Sequence, residues 1–325
     1  LEQRLTEPPW RGRVRIPVDR PEGYIRTEAH LVDGRVSEDV VLMNRPGFGT
    51  EIGVELVELY VVATDRDGEP VRGLPAEIFR VLEEGVEQEI ETVAPAGDLP
   101  LTVGMAIDTS SSLFVKMPSV RRAARTFARG LIADRDRAFL MEFGSEPRLV
   151  QPTTRDLSRV IDGIDSLEPY GTTPVWEAVA RSLEQLQTAQ GRKALIVFYD
   201  GDDEDEDFSF RQSLRLAREL RVPVYLIVLN EEAARTQGRS FSTRAFVQRL
   251  ERIARAGGGN VYFVGPDQEL TDIFQAISDE LRSHYLITYY PRSAAGGPEW
   301  REVTVEVARP DLSARTIEGY GELLP

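Results

Sequence analysis

The sequence predicts an α/β protein: a doubly wound, mostly parallel sheet, bracketed by β-sandwich-like segments from both chain ends. Three observations carry this expectation. From Leu101 to Ser283, short and almost wholly apolar runs alternate with segments whose apolar residues recur at helical spacing, the pattern of βα units joined by right-handed crossovers. Before and after that block, apolar and polar residues alternate singly, as they do in strands with one buried face. Asp-Gly pairs and Pro/Gly breaks cut these outer segments into hairpin lengths.

Along the first hundred residues, "RGRVRIPV", "YIRTEAHLVDGR" and "VELVELYVVATDRDGEPVRGL" read as strands. Asp65, Asp67 and Gly68 look like the start of a calcium loop, but the full twelve-residue spacing is absent, so the reading is a hairpin turn. Breaks at "NRPGFG" and "APAGDLP" place boundaries near residues 46 and 96, dividing the chain into 1–45, 46–97, 98–283 and 284–325. In the third segment "LTVGMAID" predicts a buried strand and "SVRRAARTFARGLI" a helix. "RAFLMEFG" and "RLVQPTT" flank Ser145, Glu146 and Pro147 as a hairpin. "DLSRVIDGIDSL" and "PVWEAVARSLEQLQTA" predict helices, and "ALIVFYD" another buried strand. Helix "FRQSLRLARELR", strand "VPVYLIVLN", helix "AFVQRLERIARAGGG", strand "NVYFV" and helix "LTDIFQAISDELRS" complete the series. Alternating texture then returns in "YLITYYP", "REVTVEVARP" and "ARTIEGYG", strands able to pair with those of residues 46–97 in one sandwich.

Composition removes several function classes. The 325 residues carry 39 Lys and Arg against 54 Asp and Glu, a formal charge of -15. That balance argues against a nucleic-acid partner, which needs a basic face, and suits a cation site or a basic partner. With no cysteine, thiolate metal sites and cysteine nucleophiles are excluded. With only His30 and His284, a histidine-rich zinc site or a Ser-His-Asp relay is poorly supplied. No apolar run reaches the ~18 residues of a membrane span. The chain begins at Leu1 rather than Met, so a preceding piece, a signal peptide among the possibilities, is expected to have been removed.

Three polar segments are expected to meet at the carboxyl ends of the core strands, where open parallel sheets gather their ligands. "DTSSS" offers Asp108, Ser110 and Ser112 at alternate positions; "GTTP" offers Thr172 and Thr173 ahead of a helix; "YDGD" offers Asp200 at a strand end. Carboxylates and hydroxyls are hard oxygen donors, suited to Mg2+, Ca2+ or Mn2+. The plain alternative is a set of helix caps and turns, since Ser, Thr and Asp favour those positions.

D-x-S-x-S after a buried strand, a distant G-x-T before a helix and an Asp-Gly after a later strand resemble the metal-ion-dependent adhesion site of von Willebrand factor A (VWA) domains. The resemblance spans residues 98–283, including "LERIARAGGGNVYFV", and implies a Rossmann-like VWA fold. The flanking segments resemble those of a VWFA-related group common in Acidobacteria, and the first 45 residues the tail of an Ig-like β domain. The resemblance implies metal ligands at Ser110 and Ser112, Asp108 direct or through water, Thr173 with Thr172 second, and Asp200. The metal is Mg2+ or, alternatively, Ca2+ or Mn2+. In this family the last coordination position is often filled by an Asp or Glu of a protein partner, so the site is a binding device and not an enzyme. The resemblance also implies a secreted, periplasmic or cell-surface location.

Two other functions compete. A Mg2+-dependent phosphoryl-transfer enzyme would want a second Asp where Ser110 stands, and a Lys or Arg in the three motif loops, which have none. A structural subunit of an extracytoplasmic assembly, with a non-essential metal, fits the β flanks. Smaller features have plain readings. The acidic run Asp200–Asp207 reads as a solvated loop, or as a charged rim or second cation site. Gly257 reads as a helix C-cap and not as part of a phosphate loop. Tyr289 and Tyr290 face opposite ways on one strand, so packing is the expectation there, and His284 reads as a boundary residue. Trp176, one turn after Thr173, either packs under that loop or stands at its rim. Thr109 and Ser111 fall between the ligands and read as replaceable.

Overall fold

The computed structural model describes residues 23–30, 36–43, 56–97, 99–189, 191–200, 207–229, 241–265, 270–292 and 300–321. The expected strand at "RGRVRIPV" and the acidic residues 202–206 lie outside them. The chain divides into two compact units, residues 1–53 and 54–325. In the first, β1 (Gly23–His30) and β2 (Val36–Met43) pair antiparallel, Gly23 opposite Met43 and His30 opposite Val36.

The second unit contains a six-stranded sheet and two four-stranded sheets. The strands before the central block are β3 (Val57–Thr64), β4 (Phe79–Glu83), β5 (Val86–Gln88) and β6 (Ile90–Pro95). The block then runs β7 (Leu101–Asp108), α1 (Met117–Leu131), β8 (Arg137–Phe143), β9 (Pro147–Thr154), α2 (Leu157–Asp165) and α3 (Val175–Gln187). It continues with β10 (Arg192–Tyr199), α4 (Asp207–Leu220), β11 (Val224–Val228), α5 (Phe241–Gly257), β12 (Val261–Phe263) and α6 (Leu270–Ser283). The spatial order is β12-β11-β10-β7-β8-β9. Its neighbours pair parallel except β9, which returns antiparallel against β8 after a short turn. All eight residues of β7 are buried, as is every residue of β11; both faces of the sheet are covered, so these strands read as apolar runs. One core cluster joins β7, α1, α2 and α6; a second joins α3, α4, α5 and the other face of β10 and β11.

The outer strands assemble around a third core. β13 (Tyr285–Tyr289) inserts between β3 and β6, antiparallel to both. β14 (Trp300–Val307) pairs with β4 and with β16 (Gly319–Gly321), and β15 (Ser313–Arg315) pairs with β3. Their inward residues, among them Leu59, Val61, Val81, Ile287 and Val305, form one apolar layer between the two sheets. Tyr289 lies in that layer and Tyr290 is exposed, as opposite faces of a strand require. The turn after β3 is an Asx turn, in which Asp65 Oδ1 accepts the amides of Asp67 and Glu69 at 2.9 and 3.0 Å. One local expectation is displaced: Gly257 is the last residue of α5, and the left-handed residue is Gly258, at φ 83°. The glycine run allows either, and the amides of Gly258 and Gly259, bonded back to Arg255 and Ala254, favour the later position.

Candidate metal centre

The register of two adjacent strands sets the site. β10 runs parallel to β7 with Phe198 opposite Ile107, so Asp108 and Asp200 leave the sheet together at its carboxyl edge. Both are buried, Asp108 at 0% and Asp200 at 7% exposure. Asp108 Oδ1 accepts the amide of Ser110 at 2.7 Å, and its Oδ2 accepts the amide of Asp200 at 3.4 Å. Among the described residues, the buried Asp200 Oδ1 has no hydrogen-bond partner, an arrangement costly for a carboxylate oxygen unless a ligand or water satisfies it.

The electrostatics agree with that geometry. Burial raises the Asp108 carboxyl from 3.8 to about 7; the amide and hydroxyl of Ser110 and the amide of Asp200 pull it down, and the charge of Asp200 pushes it up. Among the described residues, no Lys or Arg forms an ion pair or hydrogen bond with either carboxylate. A divalent cation would supply the missing positive charge.

The hydroxyls come from the loops beside these carboxylates. After β7 the chain makes a 3-10 turn at Ser111–Leu113, and Ser110 Oγ and Ser112 Oγ lie 2.9 Å apart. Ser110 is 2% exposed, whereas Ser112 is exposed to solvent. The loop before α3 is tied to this turn: Gly171 O accepts both the amide and the Oγ of Ser111 at 3.2 Å, and Thr109 O accepts the amide of Tyr170. Gly171 itself has φ 76°, a conformation glycine adopts without strain. Two residues on, Thr173 is 7% exposed, while Thr172 is exposed. Trp176 is fully buried and meets Phe210 edge-on at 5.0 Å between centroids, so it packs under the loop and does not form its rim.

Some residues of this edge escaped the sequence reading. Thr109 ties the edge through its backbone: its amide donates to Phe143 O and its carbonyl accepts the amide of Tyr170, while its buried Oγ1 has no partner among the described residues. Glu142, in the apolar strand "RAFLMEF", is 2% exposed and accepts Arg148 at 2.7 Å and the Tyr170 hydroxyl at 3.1 Å. An acid inside an apolar run was the available signal. Thr109 acts mainly through its backbone, and residue type carries no signal for that.

The donor set is therefore two carboxylates with hydroxyls. Among the described residues, no three His, Cys, Asp or Glu side chains cluster to hold a metal, so any ion here needs the serine and threonine oxygens. Hard oxygens around one unsatisfied carboxylate fit Mg2+, Ca2+ or Mn2+. Among the described residues, no helix is long and apolar enough to cross a membrane.

A sequence profile of the von Willebrand factor type A domain matches residues 103–276, more than half of the chain. No curated protein matches significantly. Several solved structures are similar in fold. The PilB minor pilin from Streptococcus sanguinis is 15% identical with TM-score 0.44, over 57% of this chain and 62% of that one. An aerotolerance-related membrane protein from Bacteroides fragilis NCTC 9343 is 16% identical with TM-score 0.45, over 56% of this chain and 98% of that one. A von Willebrand factor type A protein from Catenulispora acidiphila is 12% identical with TM-score 0.47, over 82% and 74%.

Proposed function

The chain belongs to the von Willebrand factor type A domain family, and we propose that it is a divalent-cation-dependent protein-binding module acting outside the cytoplasm. Asp108, Ser110, Ser112, Thr173 and Asp200 hold the ion, with Mg2+ the first choice and Ca2+ or Mn2+ alternatives. An Asp or Glu of a protein partner completes the coordination shell. The observation that carries this reading is the buried Oδ1 of Asp200, without a partner among the described residues, beside a carboxylate whose proton affinity burial has raised.

The chemistry follows from the donor count. Two carboxylates can neutralise a dication, but they are few for a hard ion that takes six or more oxygens. Neutral hydroxyls fill further positions without adding charge, so the ion remains attractive to one more anionic oxygen. Ser112, exposed at the loop surface, stands where an incoming carboxylate would meet the site. Exclusion of water on contact would strengthen that bond. A cation on these oxygens would occupy the Asp108 carboxylate and the Ser110 hydroxyl as ligands, and the reading is binding rather than turnover.

The test uses random peptides displayed on phage, selected on the immobilised protein in Mg2+. Recovered clones are expected to carry Asp or Glu, to release in EDTA, and to ignore Asp108→Ala. Clones that bind equally well in excess EDTA would contradict the mechanism.

A further inference from the structure

Two large apolar side chains stand in water at the same edge as the proposed cation, and a tyrosine ring beside them is partly exposed. Phe114 is 74% exposed, Val115 85% and Tyr170 39%. They are three of the seven large hydrophobics exposed among the described residues, and they lie on a pair of loops bonded to each other. Phe114 follows the 3-10 turn directly, its amide on Ser111 O; Ser111 is bonded to Gly171 O, and Tyr170 precedes Gly171. The neighbouring Leu113 and Met117 are buried, so this loop anchors itself with two apolar residues and leaves the next two outside. Single exposed apolar residues are ordinary, but a group beside a ligand site marks a contact surface.

Tyr170 is also held in place. Its amide is bonded to Thr109 O, and its hydroxyl donates to Glu142, itself paired with Arg148. A ring fixed at both ends loses little freedom on binding, a property of interface anchors. The charge of the chain restricts what such a rim can meet. At -15 it repels an acid-rich surface, and equally a second copy of itself, except where the ion neutralises one carboxylate.

We propose that Phe114, Val115 and Tyr170 select the partner by the residue beside its acid. The recognised segment carries one Asp or Glu with a bulky aliphatic or aromatic side chain within two positions, on a surface otherwise neutral or basic. This rests on the cation-site reading above, and deepens it from ion dependence to partner sequence.

The same phage selection in Mg2+ separates the two claims. Ion-dependent clones should show an acid with Leu, Ile, Phe, Trp or Tyr within two positions. Phe114→Ser with Val115→Ser should weaken a synthetic peptide of that sequence about 10- to 100-fold, with Mg2+ dependence and thermal unfolding unchanged. Val115→Ser alone, a milder change at the most exposed position, should show a smaller loss in the same direction. Ion-dependent clones with no apolar neighbour, or peptide affinity unmoved in both variants, would overturn the inference and leave the cation reading standing. Clones indifferent to EDTA would overturn both. A Mg2+-dependent dimer in sedimentation that the double variant dissolves would make the occupant a second copy and overturn the partner class.

Discussion

Strand β7 has a buried carboxylate at each end, and the two keep different company. At its start Asp136 accepts the amides of Leu101 and Ala133, both at 2.9 Å, and is paired with Arg282. At its finish Asp108 accepts two amides and has Asp200 for a neighbour instead of a cation. Both side chains belong to residues with no solvent exposure. The first end continues into a junction where buried polar groups find partners within the protein. Arg192 donates to Ala96 O, Leu281 O and the His284 ring, and Arg315 pairs with Glu280. Burial, with Arg192 and Arg315 nearby, holds His284 well below the usual imidazole range, so it sits neutral between them. The comparison teaches that burial of a charge does not by itself mark a site. A satisfied charge is architecture, here joining α6 and the sandwich strands to the α/β sheet; a buried carboxylate oxygen with no partner among the described residues is a place for a ligand.

The largest effect should come from breaking the matched end. Asp136→Ala leaves Arg282 partly buried without its carboxylate and two amides without an acceptor. Denaturant unfolding should show a loss of about 3–5 kcal/mol, the same in Mg2+ and in EDTA. A loss confined to one of those conditions would place Asp136 in the cation site and erase the distinction.

The unmatched end should respond to pH in the opposite sense to an ordinary salt bridge. Asp108 titrates near 3.8 in the unfolded chain and about 7 in the folded, metal-free protein. Between those values the folded state keeps a proton that the unfolded state has released. Its contribution to stability is therefore complete below pH 4 and is lost as pH rises towards 7. In EDTA the parent should lose stability from pH 5 to 8 by on the order of a few kcal/mol more than Asp108→Asn. Parallel pH profiles for the two proteins would contradict the assigned environment of Asp108. Proton and metal compete for the same oxygens, so Mg2+ should also bind more weakly below neutral pH.

The smallest effect separates two adjacent residues. Thr173→Ala should weaken Mg2+ about ten-fold or more by calorimetry, whereas Thr172→Ala should leave affinity and stability within about 0.5 kcal/mol. The reverse order would move the ligand to the exposed threonine.

Much of this was legible in the sequence, for physical reasons. Strands covered on both faces become apolar runs, so "LTVGMAID" and "ALIVFYD" declare both the parallel sheet and, in their last residues, the two carboxylates. Expectation and structure also agree on the hairpin of β8 and β9, because its turn is local. The insertion of β13 between β3 and β6 was not legible in detail: partners 190 or more residues apart leave no mark on local periodicity. At the site, the motif residues stand out by type, but the ties that hold the loops do not. Thr109, Ser111 and Gly171 act through amides and carbonyls that every residue possesses. Trp176 needed the structure because its helix position permits either a packed or an exposed ring.

The most direct test of the central claim is a Mg2+ titration followed by thermal unfolding, comparing the parent with Asp108→Ala and Asp200→Asn at neutral pH. A ligand bound only by the native state raises stability by about 2.7 kcal/mol at a hundred times its Kd. The parent should therefore rise in Tm with Mg2+ by a few degrees, and both variants should fold yet stay flat. Equal upward shifts in all three proteins, or none in the parent, would contradict a cation site built on Asp108 and Asp200.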